Sequence, residues 1–154
     1  MVKVITDDNG IAVAIELTVF SEPVAQGRPR FSTNGKFVKA YDPQKSRDYK
    51  RLLREMAQEV YKEHPDFKPF EVPLGLRIMA YRSVPKSFSK KKHEEAVGKK
   101  FHPVTKPDVS NYVKGIEDAL NGVLWKDDSF IVSEFCMKAY SDQPRIELVV
   151  WSLV

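Results

Sequence analysis

The chain has 154 residues, 42% hydrophobic and 30% charged, which is one domain's length and the composition of a soluble globular protein with a buried core. No apolar run approaches the roughly 20 residues of a membrane span, and "MVKVITDDNG" lacks the apolar centre of a secretion signal. The single cysteine, Cys136, excludes an internal disulfide and zinc-ribbon spacing and suits a reducing cytoplasm.

"GIAVAIELTVF" alternates and is β-branched, so it reads as a strand ending near Phe20. "TDDNG" before it is turn chemistry, and Val2 to Ile5 is the other arm of a hairpin. "SEPVAQGRPRF", broken by Pro23, Gly27 and Pro29, reads as an exposed connector displaying Arg28 and Arg30. "GKFVKAY" follows the Asn34-Gly35 turn as a further strand. In "SRDYKRLLREMAQEVYKEHP" the positions Tyr49, Leu52, Leu53, Met56, Ala57 and Val60 recur at helical spacing, and Pro65 closes the helix.

A strand is expected from about Val72, then a short basic helix with Ser89 as its N-cap. Val109 to Asn121 turns as a helix whose apolar arc is Val109, Tyr112, Val113, Ile116, Ala119 and Leu120. Ser110, Asn111, Lys114, Glu117 and Asp118 fall on its polar arc. Asp108 stands at the N-cap position, and Asn121-Gly122 is a stop. "SFIVSEFCMKAY" and "RIELVVWSLV" are the last two strands, joined by a turn at Ser141 to Pro144. The element order predicts one α+β domain over residues 1–154, a mixed sheet flanked by helices.

Charge is uneven along this order. The net charge is +4 and the pI about 9.1. Between Arg82 and Lys106 the basic residues Arg82, Lys86, Lys90, Lys91, Lys92, Lys99, Lys100 and Lys106 face only Glu94 and Glu95. That is eight against two, a local excess of six that leaves the rest of the chain at −2. Such a stretch can hold phosphates through salt-sensitive contacts, or it can be a solvated lysine-rich face.

Immediately downstream lies "KPDVSNYVKGIEDALNGVLWKDDS". By residue type alone it accommodates two readings. Asp108 can be a helix cap, Lys114 and Asp118 an i,i+4 ion pair, and Asp127-Asp128 a turn. Alternatively the carboxylates of Asp108, Asp127 and Asp128 meet as hard oxygen ligands for Mg2+ or Mn2+, with Lys114 on the same polar face to neutralise phosphate charge.

The pieces "KPDVSNYVK", "DALNG" and "WKDDS" stand in the order of the RusA-type Holliday junction resolvase signature, and the chain resembles that family. "EPVAQGRPRF", "YDPQKSRDYK" and "VPKSFSKKKHEEAVGKK" resemble the family's Arg-containing N-terminal segment, first helix and basic segment. The likeness runs from roughly Glu16 to the last strand. It implies a RusA-like fold and a Mg2+-dependent (Mn2+ possible), homodimeric endodeoxyribonuclease acting on four-way branched DNA in recombination and repair.

Carried over by position, Asp108 and Asp128 match essential aspartates, Lys114 the catalytic lysine, and Asp127 and Asn111 neighbouring motif positions. Arg28, Arg30, Lys86, Lys90, Lys91, Lys92, Lys99, Lys100 and Lys106 are then the expected DNA contacts. Ser110 departs from the pattern, since the family usually carries a second aspartate there. A neutral hydroxyl removes one negative charge from the site, which Asp127, Glu117 or water must replace. This departure keeps a second reading open, a junction-binding module with weak or no chemistry. A small-substrate phosphatase fits less well, because neither a glycine-rich phosphate cradle nor metal-spaced histidines occur.

Overall fold

Alternation along the N-terminal segments makes a hairpin, β1 (Val2–Thr6) against β2 (Ala12–Val19), with Val4 opposite Ile15. The computed structural model describes residues 1–154, apart from the side chain of Asn34. β3 (Arg30–Asn34) and β4 (Phe37–Tyr41) form a separate two-stranded ribbon. There the connector expected at Arg30 and Phe31 is strand instead, because these residues pair with Tyr41 and Ala40.

Helix α1 (Gln44–Ala57) starts two residues before the expected Ser46 and ends at Ala57 with Gln58 as its C-cap, after which a single turn, α2 (Val60–Glu63), completes the segment. β5 (Leu74–Arg82) precedes α3 (Lys90–Val97) and α4 (Val109–Leu120). A 3-10 turn at Asp128–Phe130 leads into β6 (Ile131–Tyr140) and β7 (Arg145–Ser152).

The main sheet has the order β1-β2-β7-β5-β6. β5 and β6 are parallel and the other pairs antiparallel, so the sheet is mixed, as expected. A parallel pair needs a long crossover, and here the crossover carries α3 and α4. It ends at β6, an edge strand whose Val132 and Phe135 are exposed.

One sheet face carries Ile15, Leu17, Leu74, Leu76, Ile78, Leu148 and Val150. These residues join Leu53, Ala57, Tyr112, Ile116 and Leu120 of α1 and α4 in a single core. Burying each large side chain contributes about 1.5–3 kcal/mol, so the apolar arc of α4 fixes which way its polar arc faces. Two backbone carbonyls at its C-terminal end, of Ala119 and Asn121, accept from Arg54 of α1. Gly122, at φ +80°, lets the chain turn off the helix where the sequence places the stop.

Candidate active site

α4 presents its polar arc outward between α1 and the edge strand. At its start Asp108 occupies the N-cap position with extended backbone, but its side chain makes no capping hydrogen bond. The carboxylate is therefore not committed to the helix, as a pure cap would be. The connector Ala25 to Arg28 is laced over this end. Gln26 N–H donates to the Asn111 carbonyl at 3.0 Å, and Gly27 N–H donates to Ser46 Oγ at 3.1 Å. Gly115 permits the approach, because a β-carbon there would lie 3.2 Å from Gln26 N. The result is a cleft of about 390 Å³ where Asp108 faces Arg28, Lys106 and Asn111. Lys138 of β6 secures the loop leading into α4, donating to the carbonyls of Thr105 and Pro107 at 2.9 Å each.

The other end of the same helix holds a second cleft, of about 350 Å³, walled by Glu117, Asp128 and Glu134. Burial pushes the Glu117 carboxyl up to about 8, assisted by a hydrogen bond with Glu134 and by the charges of Glu134, Asp128 and Asp118. Asp128 is raised as well, by burial and then by Asp118 and Asp127, against a lowering hydrogen bond from Trp125. That bond is Trp125 Nε1–H to Asp128 Oδ1 at 2.8 Å, from a fully buried ring that fixes the carboxylate. Asp127 caps the 3-10 turn through Ser129 N–H at 3.0 Å, and its carboxyl is held low by Ser129.

Among the described residues no three His, Cys, Asp or Glu side chains converge closely enough to hold an ion as they stand. The donor chemistry nevertheless fits a hard divalent cation. Three carboxylate side chains share one cleft, where burial first, then the Glu134 hydrogen bond and the neighbouring carboxylate charges, raise Glu117 to about 8.

Asp108 and Asp128 are not brought together within one chain. Glu117 lies nine positions after Asp108, about 13 Å along the helix at 1.5 Å per residue, and it is Glu117 that shares a cleft with Asp128. α4 runs antiparallel to β6, with its start at Lys138 and its end at Glu134. Ser110 and Lys114 lie exposed on the arc between the two ends. The alternative Lys114–Asp118 ion pair does not form. Asp118 pairs instead with Lys50 of α1 at 3.4 Å, and Lys50 also holds Asp42 at 2.9 Å.

The basic residues divide into two groups. Arg28, Arg30 and Lys106 border the Asp108 cleft or its ribbon. Lys86, Lys90, Lys91, Lys92, Lys99 and Lys100 surround α3, which Ser89 caps by accepting from Lys92 N–H at 3.2 Å. Among the described residues none of these nine makes an ion pair with an acidic side chain. His93, by contrast, is tied to Asp142 at 2.6 Å.

Glu134 is the site residue that sequence reasoning overlooks. Its signal is a charged residue six places after Asp128, inside a strand, in register with Leu76 on the face that α4 covers.

The chain is 43% identical over 138 residues, 88% of its length and 94% of the relative's, to a Bacillus subtilis (strain 168) protein described as uncharacterized protein YqaN. A sequence model of the family described as Endodeoxyribonuclease RusA matches residues 21–150, which span both clefts, the ribbon and the basic segment. The chain belongs to the RusA endodeoxyribonuclease family.

Proposed function

We propose that this protein is a divalent-metal-dependent endonuclease that resolves four-way DNA junctions as a homodimer. The observation that carries the reading is the charge-loaded cleft of Glu117, Asp128 and Glu134 at one end of α4, in a chain of this family. Asp128 and Glu117, with Glu134, would hold Mg2+ or Mn2+, and Asp127 and Asp108 remain candidate ligands from the motif. Bound there, the ion supplies Lewis acidity toward a phosphodiester and the attacking water.

The chain's own residues supply the rest. Trp125 holds Asp128 in place, and Glu117 keeps a proton until a cation replaces it. Lys114, three residues before Glu117 on the exposed arc, neutralises charge on the phosphate oxygens. Arg28, Arg30 and the lysines from Lys86 to Lys106 grip the backbone without reading bases.

A homodimer has two uses here. A four-way junction has near two-fold symmetry and needs two opposed cuts, which a two-fold dimer matches. Pairing of two exposed α4 arcs in antiparallel fashion also brings the Asp108 end of one subunit to the carboxylate end of the other. The free edge of β6, with exposed Val132 and Phe135, offers apolar surface beside that arc.

The test is incubation of a synthetic four-way junction with Mg2+, with Mn2+ and with chelator, against linear duplex. Metal-dependent cleavage of the junction alone is expected. Tight binding without cleavage in either metal favours the second reading, a junction-binding module disabled at Ser110.

A further inference from the structure

Next to the Asp108 cleft lies a hollow that no step above uses. Its volume is about 440 Å³, within the range of small-molecule sites. Its floor is a trio of rings, Phe88, Phe101 and Tyr140, with centroids 5.9–6.0 Å apart and tilted against one another. The phenylalanines are only half-buried, although the trio comes from three separate segments of chain. Val104, almost fully exposed, stands at the rim.

The residues lining the hollow include cations and no acid. Lys92 Nζ sits 4.1 Å from the centre of the Phe88 ring, and Arg82 lines the same wall. Arg82 is held there through the carbonyl and hydroxyl of Thr105 at 3.1 and 3.3 Å. Rings for a flat apolar body and fixed cations for an anion describe a nucleotide better than a lipid or an apolar peptide. Base–aromatic stacking tolerates any base, because every base has a π-face.

Position supports the same occupant. Thr105 belongs to the hollow, and Lys106, Pro107 and Asp108 belong to the adjoining cleft. Three residues span at most about 11 Å, and Lys138 clamps the carbonyls of Thr105 and Pro107 together. One rigid loop therefore has the hollow on one side and a candidate catalytic aspartate on the other.

We infer that the Phe88–Phe101–Tyr140 hollow takes up a nucleobase extruded from the branch point of the DNA, with Arg82 and Lys92 on its phosphate. The inference rests on the branched-DNA reading above. It needs no cleavage, so it stands or falls in metal-free buffer. A base extruded there marks the crossover and sets the adjoining phosphates at a fixed distance from Asp108. Paired arms of a linear duplex offer no such base without the cost of unstacking it.

The experiment uses the full-length protein, chelator, and a four-way junction carrying 5-iododeoxyuridine at crossover nucleotides or, as control, in mid-arm. Irradiation followed by peptide mapping should give crosslinks to Phe88, Phe101 or Tyr140 from the crossover positions only. Phe101→Leu, which keeps apolar bulk but loses the π-face, should weaken junction binding about tenfold. Removing the crossover base to leave an abasic site should abolish that difference between variant and parent.

Junction binding with no crosslink to these rings, or equal crosslinks from mid-arm, overturns the hollow and leaves the nuclease reading intact. Crosslinks as expected without cleavage on adding metal sustain the hollow and sink the nuclease. A change of oligomeric state in Phe101→Leu, with junction affinity unaltered, would make the hollow a protein interface instead. Absence of any junction binding removes both proposals.

Discussion

Glu117 is the residue whose environment says most about the site. Its ordinary carboxyl value is 4.5, and in the fold it rises to about 8 through burial, the Glu134 hydrogen bond and neighbouring charge. The folded chain therefore binds a proton that the unfolded chain releases. Stability from this source is full below about pH 4.5 and is lost as pH rises toward 8. Glu117→Gln should raise the melting temperature at pH 8 in chelator and flatten its dependence between pH 5 and 8. The scale is about 2–4 °C per kcal/mol recovered. Mg2+ should stabilise the parent more at pH 8 than at pH 6 and should stabilise the variant little. Thermal melts at both pH values check this, and an unchanged pH profile would remove the buried carboxyl from the account.

Ser110 gives a second test at the same scale. It is exposed in the first turn of α4, where a carboxylate restores the family's charge and meets the positive end of the helix. Ser110→Asp should stabilise the protein by about 0.3–1 kcal/mol and lower the Mg2+ concentration needed for half-maximal cleavage. Loss of activity instead would show that the serine is an adapted part of this site.

At the scale of elements, the ribbon of β3 and β4 stands apart from the main sheet. An isolated two-stranded hairpin is marginal in water, and here Phe31, Phe37 and Val38 stay largely exposed. Between Val24 and Tyr41 the sequence holds Arg28, Arg30, Lys36 and Lys39 and no acidic residue. Arg30 and Tyr41 are directly paired, as are Ser32 and Lys39, so Arg30 and Lys39 share a face. On the proposed function the ribbon would be a second DNA-binding surface, in addition to the basic segment around α3. Replacing Arg30 and Lys39 by alanine should reduce the salt dependence of junction binding, by about 0.9 in the log–log slope for each phosphate no longer neutralised. Binding measured between low and moderate salt checks it. An unchanged slope would confine DNA to the α3 side.

The elements also show where sequence reading succeeds and stops. Alternation and helical spacing placed α4, its apolar arc from Tyr112 to Leu120 and the terminal strands, because burial on one face imposes those periods directly, whereas Val109, expected on that arc, is exposed at the helix start. The ribbon's first strand was hidden by Pro29 and Gly27, which signal a connector while backbone pairing just beyond them makes β3. Asp108, Lys114 and Asp128 were legible as a motif. Their separation was not, since it depends on α4 running antiparallel to β6, which spacing along the chain does not reveal. Glu134 was invisible for the same reason, as only the packing of helix on strand brings it to Glu117.

For the whole molecule, that separation turns into a statement about assembly. If the site is shared across a two-fold axis, mixing Asp108→Asn and Asp128→Asn chains regenerates one intact site per mixed dimer. Single nicks should then return although each variant alone is inactive. If every site lies within one chain, no mixture restores cutting. Nicking assays on the refolded mixture separate the two cases, and Asn at position 128 retains an oxygen to accept from Trp125.

The central claim, paired cutting of a four-way junction, is tested most directly on a supercoiled plasmid that extrudes a cruciform. In Mg2+ the protein should convert it to linear DNA with little nicked circle accumulating, and a relaxed plasmid without the cruciform should survive. Cruciform binding without cleavage, or equal cutting of both plasmids, would contradict the account.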